Sequence, residues 1–87
     1  MSQYEYSLCT EDGSVTSGSR TTKFTLKELQ ELVGGRIEII PIKTPVTNKI
    51  TNEVYVVRED GRYDCKPNAR FRHLYGPVLV TSKKSIE

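Results

Sequence analysis

The run from Phe24 to Pro41 constrains the fold most, because it encodes a capped helix, its stop and an apolar strand without interruption. Thr25 and Glu28 stand in the T-x-x-E relation: the Thr25 hydroxyl can accept from the amide of Glu28 while the Glu28 carboxylate accepts from the amide of Thr25. Phe24 before the cap and Leu29 at the fourth helical position are placed as a hydrophobic staple. Leu26, Leu29, Leu32 and Val33 share one face by three- and four-residue spacing, and Lys27 and Glu31 pair on the other. Gly34 and Gly35 end the helix, since glycine takes the positive φ of a helix stop without a Cβ clash. Ile37 and Ile39 then alternate with Arg36 and Glu38 as a strand with one buried face. Pro41 cannot donate to a ladder, so the chain reaches a strand end or a sheet edge there.

On the N-terminal side, Tyr4, Tyr6 and Leu8 alternate with Glu5 and Ser7 as a first strand, and Glu11-Asp12-Gly13 turns it into a short return strand at Ser14 to Thr16. The stretch from Ser17 to Lys23 is Ser, Thr and Gly around two cations. That composition buries too little apolar area to offset backbone ordering, and a mobile loop is expected. Lys43 to Asn52 reads as a polar connection that Val46 and Ile50 can anchor. Glu53 to Arg58 places Val54 and Val56 on one side and Tyr55 and Val57 on the other, the pattern of a central strand.

Asp60-Gly61 signals a hairpin with Arg62 to Cys65 returning antiparallel. Asn68 can cap a helical turn over Ala69 to Tyr75 that carries Phe71 and Leu74 inward, and Gly76 stops it. Pro77 opens a last strand, Val78 to Thr81. The expected architecture is α+β: a single small domain whose mixed, mostly antiparallel sheet is packed by one short helix plus a second helical turn. Residues 1–23 form its N-terminal hairpin and flexible loop, 24–81 its core and 82–87 a frayed tail.

A chain of 87 residues holds one domain and buries only somewhat more than roughly 60% of its unfolded surface. No apolar run approaches the length of a membrane span, and the first ten residues lack the basic start and apolar core of a signal peptide, so a cytoplasmic location and no membrane contact are expected. The two cysteines, Cys9 and Cys65, read as reduced structural thiols. They stand with His73, the single histidine, as three scattered metal-capable groups, short of the four closely spaced ligands of a structural zinc site. No metal, cofactor or catalytic residue is assigned. Gly34-Gly35 lies between a helix and a strand, the reverse of a phosphate-binding loop.

The net charge is +2, but its distribution is uneven. Residues 1–43 carry five Lys or Arg against six acidic residues, and residues 44–87 carry eight against five. Arg62, Lys66, Arg70 and Arg72 interleave with Tyr63, Phe71 and Tyr75, and cations among rings are what single-stranded nucleic-acid binding uses. Arg62, Tyr63, Lys66, Arg70, Arg72 and Tyr75 are therefore the candidate binding residues. The alternative is that Phe71 and Tyr75 are core and the cations a solvated face.

The run Leu29 to Gly35, then Ile37 to Pro41, Val56-Val57 into Glu59-Asp60-Gly61, Pro67-Asn68-Ala69, and Gly76 before an apolar strand resembles domain-of-unknown-function family 3846. Its members occur in phages, large DNA viruses and mobile-element-rich bacterial genomes. The resemblance implies a viral accessory protein with no chemistry to carry over, one that acts by binding a host macromolecule and can antagonise host defence. A host protein is the expected partner, with nucleic acid or a nucleotide at the basic patch as the alternative. Strand edges near Pro41 and at Val78 to Thr81 are expected to be open for a partner chain or for a homodimer.

Overall fold

The computed structural model describes residues 3–43, 50–71 and 73–86, the side chains of Ile50 and Asp64 excepted. Two hairpins and a late strand build its sheet. Strands β1 (Tyr4–Cys9) and β2 (Val15–Arg20) form the first hairpin, helix α1 (Leu26–Val33) follows, and β3 (Ile37–Lys43) with β4 (Ile50–Arg58) forms the second. A four-residue helical turn, α2 (Gly61–Asp64), then leads through an irregular segment to β5 (Val78–Ser82). The order across the sheet is β2-β1-β5-β4-β3, with every pairing antiparallel. The chain is thus a small α+β domain.

Local chemistry accounts for α1. Glu28 N donates to Thr25 Oγ1 over 3.2 Å and Thr25 N to Glu28 Oε1 over 3.1 Å, the reciprocal capping box, and Gly34 closes the helix with φ 84°. Leu29 and Val33 are buried with Phe24, Val54, Val56 and Leu79 on one face of the sheet. Leu26 is 60% exposed, because Phe24 already fills the core where the helix begins. Thr25→Ala is expected to cost about 1 kcal/mol, read by chemical denaturation.

The Glu28 carboxyl is held below its ordinary value of 4.5, first by the Thr25 amide and next by the Arg20 guanidinium. A depressed carboxyl stabilises the fold above its unfolded value and loses that contribution as pH falls below it. Glu28→Gln should therefore lower the melting temperature at about pH 7, and its difference from wild type should shrink at about pH 3.

The opposite face of the sheet is half covered. Cys9, Val57 and Val78 are buried there with Leu74, and Phe71 packs on the same cluster. Asn68, with no exposed surface, holds the covering segment down. Its Nδ2 donates to Gly76 O over 2.8 Å and Thr10 O over 3.1 Å, and its Oδ1 accepts from Arg70 N and Phe71 N. Asn68 Oδ1 thus accepts from following amides and Phe71 and Leu74 do face inward, yet the helical turn that Asn68 was expected to cap does not form among the described residues of 69–75. Asn68 Nδ2 binds carbonyls just after β1 and just before β5 instead, which fixes the segment to the sheet rather than to a helical axis.

Several other expectations are corrected. Arg62 to Cys65 does not return as a strand, because Gly61 does not serve as a positive-φ hairpin residue. It is buried against Tyr75, whose carbonyl oxygen would lie 2.9 Å from a Cβ there. Ser17 to Arg20 is strand, not mobile loop, because it completes the ladder with β1 in register Tyr4↔Arg20 to Cys9↔Val15. The 82–87 tail is not frayed as far as Ile86: Lys83–Ser85 is a 3-10 turn, Ser85 O accepts from Phe24 N over 2.7 Å, and Ile86 packs against the helix cluster. The last strand is not an edge but lies between β1 and β4. β4 begins at Ile50, earlier than the polar connection suggested, and the expected anchor Val46 lies outside the described residues.

Candidate functional site

The two edges of this sheet differ in chemistry, and the hydrogen-bond alternation along each strand shows how. In an antiparallel pair, residues alternate between those whose N–H and C=O both face the partner strand and those whose groups face away. Thr10 N donates to Ser14 O over 2.8 Å at the hairpin, so Thr16, Gly18 and Arg20 bond to β1, and Val15, Ser17 and Ser19 turn their N–H and C=O groups outward. Glu59 N donates to Arg36 O over 2.8 Å, so in β3 the outward positions are Ile37, Ile39 and Pro41.

Pro41 therefore deletes a donor from the outward row of β3, and the register shifts between Pro41 and Lys43. Both are devices that block edge pairing. β2 has neither. Its outward row is complete, its pairing with β1 is regular over all six residues, and its single charged residue is committed elsewhere. Arg20 bonds Glu28 at 2.7 Å and lies 4.3 Å from the Phe24 ring centroid, on the helix face. The Tyr6 ring lies over Gly18 on that same face: a Cβ at Gly18 would stand 2.7 Å from Tyr6 Oη, so a side chain there would displace the ring.

On the opposite face, the part of the sheet left bare by the Asn68 segment is an open trough of about 710 Å³ beside β2. Small hydroxyl side chains floor it: Ser7, Ser17, Ser19 and Ser82, with Ser7 Oγ and Ser17 Oγ 3.0 Å apart. Glu5 and Glu53 flank Ser82 from the strands on either side. Among the described residues neither carboxylate is in an ion pair and no Lys or Arg lines the trough.

The basic-aromatic residues lie elsewhere. Arg62 and Tyr63 are on α2, with Tyr63 82% exposed. Lys66 is exposed, and its carbonyl accepts from Gly76 N while Pro67 bridges Tyr75, so Lys66 and Tyr75 are neighbours. Tyr75 is only half exposed. Arg70 is exposed beside the first hairpin, where Ala69 N donates to Glu11 O over 3.0 Å; Glu11 Oε2 also accepts from Lys66 N over 3.3 Å, an acidic group within the basic stretch. Phe71 packs at 5.3 Å from the Tyr55 ring. Arg72 lies outside the described residues.

No family model, curated protein or solved structure matches this chain. Among the described residues no three metal-capable side chains converge, and no helix is long and apolar enough to cross a membrane. Sequence reasoning found the start of β2 in the return strand at Ser14 to Thr16 but missed its extension to Arg20 and the trough beside it. The signal available was weak: the equal spacing of Tyr4 to Cys9 and Val15 to Arg20 about the Glu11-Asp12-Gly13 turn.

Proposed function

We propose that this chain is a non-enzymatic binding module that takes an extended segment of another protein as an added strand on β2. In the viral accessory setting that the family resemblance implies, that protein belongs to the host. The observation that carries the reading is the complete outward row of β2 set against the Pro41-interrupted row of β3. An added strand gains main-chain hydrogen bonds along such an edge and specificity from alternate side chains.

The test exploits the alternation. Ser17→Pro removes an outward donor without breaking the β1 ladder, so the fold should survive with only a small change in denaturation midpoint. Decapeptides selected from a displayed random library on the wild-type protein should then lose binding to Ser17→Pro. Selected peptides that bind both proteins equally would contradict the reading.

A second reading, nucleic-acid or nucleotide binding, is favoured by one observation, the exposed Tyr63 ring beside Arg62. Stacking by a base on it would make binding of single-stranded oligonucleotide sensitive to Tyr63→Ala. Unchanged binding in that variant would remove the reading's support.

A further inference from the structure

We infer that the strand added to β2 is basic, with Lys or Arg at alternate positions that lie over the acidic serine trough. The inference rests on the strand-addition reading and specifies its occupant. Side chains of an added strand alternate between the two sheet faces, so every second one enters the space above Ser17 and Ser19. Because Ser7, Ser17 and Ser19 are short, that space stays open for long side chains to lie flat across two strands. A residue added opposite Ser19 has its Cα about 10 Å from that of Glu5, two strands away, and an extended Lys or Arg and the Glu5 side chain together span that gap.

The charge follows from what the trough contains. Glu5 and Glu53 both face it, on either side of Ser82, and among the described residues no cation lines it; Lys23 and Lys84 line the adjoining pocket beyond Gln3 and Ser82. An acidic segment would be repelled there, and an apolar one would leave Glu5 without a partner. Glu53 stands about 10 Å further on, roughly a Debye length at moderate salt, and contributes only to the field.

A second copy of the chain fits less well. Two β2 edges paired about Ser17 would engage about five residues a side, no more than an added peptide strand does. That pairing would set Val15 against Ser19 of the copy and bring no cation to Glu5, because Arg20 points to the helix face and is held by Glu28.

The experiment is sequencing of the library peptides that Ser17→Pro releases, followed by titration of one of them against Glu5→Gln and Glu53→Gln. Lys or Arg enriched at every second position is expected. Glu5→Gln should weaken binding about three- to fivefold, Glu53→Gln less than twofold, and raised salt should weaken it in parallel. Peptides released by Ser17→Pro but uncharged or acidic, or indifferent to Glu5→Gln, would overturn the basic occupant and leave strand addition standing. If no peptide is released by Ser17→Pro, both fall. Concentration-dependent dimerisation abolished by Ser17→Pro would make the second copy the occupant and overturn the inference.

Discussion

Asn68→Ala is expected to destabilise the fold by roughly 3–5 kcal/mol, because each buried group left without its partner costs about 1–3 kcal/mol. The groups are specific: the buried Gly76 O loses its donor, the part-buried Arg70 N and Phe71 N lose their acceptor, and Thr10 O keeps Gly13 N as a donor. Total stability for a domain of this size is only about 4–13 kcal/mol, so the variant should be close to unfolding. Asn68→Asp separates the two halves of the network. It keeps the acceptor and replaces the donor with an oxygen facing two carbonyls, so it should also be strongly destabilised. Urea denaturation followed by tyrosine fluorescence measures both. A loss below about 1 kcal/mol for Asn68→Ala would mean that the segment from Lys66 to Gly76 is not held to the sheet as described.

Phe24→Ala should cost about 3–5 kcal/mol, the range for removing a buried aromatic. The ring is fully enclosed in the helix-face core, meets Tyr6 edge-on at 5.5 Å and carries the Arg20 guanidinium. The substitution acts on the candidate edge as well. Without the ring, Arg20 keeps its contacts with Glu28 and Thr22 but loses its packing surface, and the end of β2 should loosen before the rest of the sheet. Comparing the urea midpoint with amide exchange at Arg20 tests both effects. A small midpoint change would place Phe24 outside the core.

What was legible in the sequence followed from local chemistry. The capping box, the Gly34 stop and the turn at Gly13 are each specified within a few residues, and each formed. β4 was legible because Val54, Val56 and Val57 are apolar on both sides, which only a covered strand tolerates. What depended on distant partners was not legible. Beyond Thr16, where the expected return strand stops, β2 has no hydrophobic period, and its strand state comes from the ladder with β1 and from Tyr6 covering Gly18. Gly61 carries the letters of a hairpin turn but serves close packing against Tyr75. Ser85, polar and near the end of the sequence, is buried because Phe24 N needs its carbonyl.

The candidate site was less legible than the fold. Cations among aromatic rings drew attention to residues 62–75, where Phe71 proved to pack on the core and Tyr75 to be half-buried. The acidic trough is invisible in the sequence, because Glu5, Ser19, Ser82 and Glu53 come from four strands and meet only through the β2-β1-β5-β4 order. Pro41 reads as a strand end or a sheet edge and lies on an edge, but its meaning depends on the contrast with an edge that has no such residue.

The measurement that tests this account most directly is residue-resolved amide hydrogen exchange along β2 in the free protein. The amides of Thr16, Gly18 and Arg20 should be protected by the β1 ladder, and those of Val15, Ser17 and Ser19 should exchange rapidly. Uniformly fast exchange across Val15 to Arg20 would contradict the strand itself. Protection at Ser17 would contradict the open edge, since its outward N–H would already be occupied.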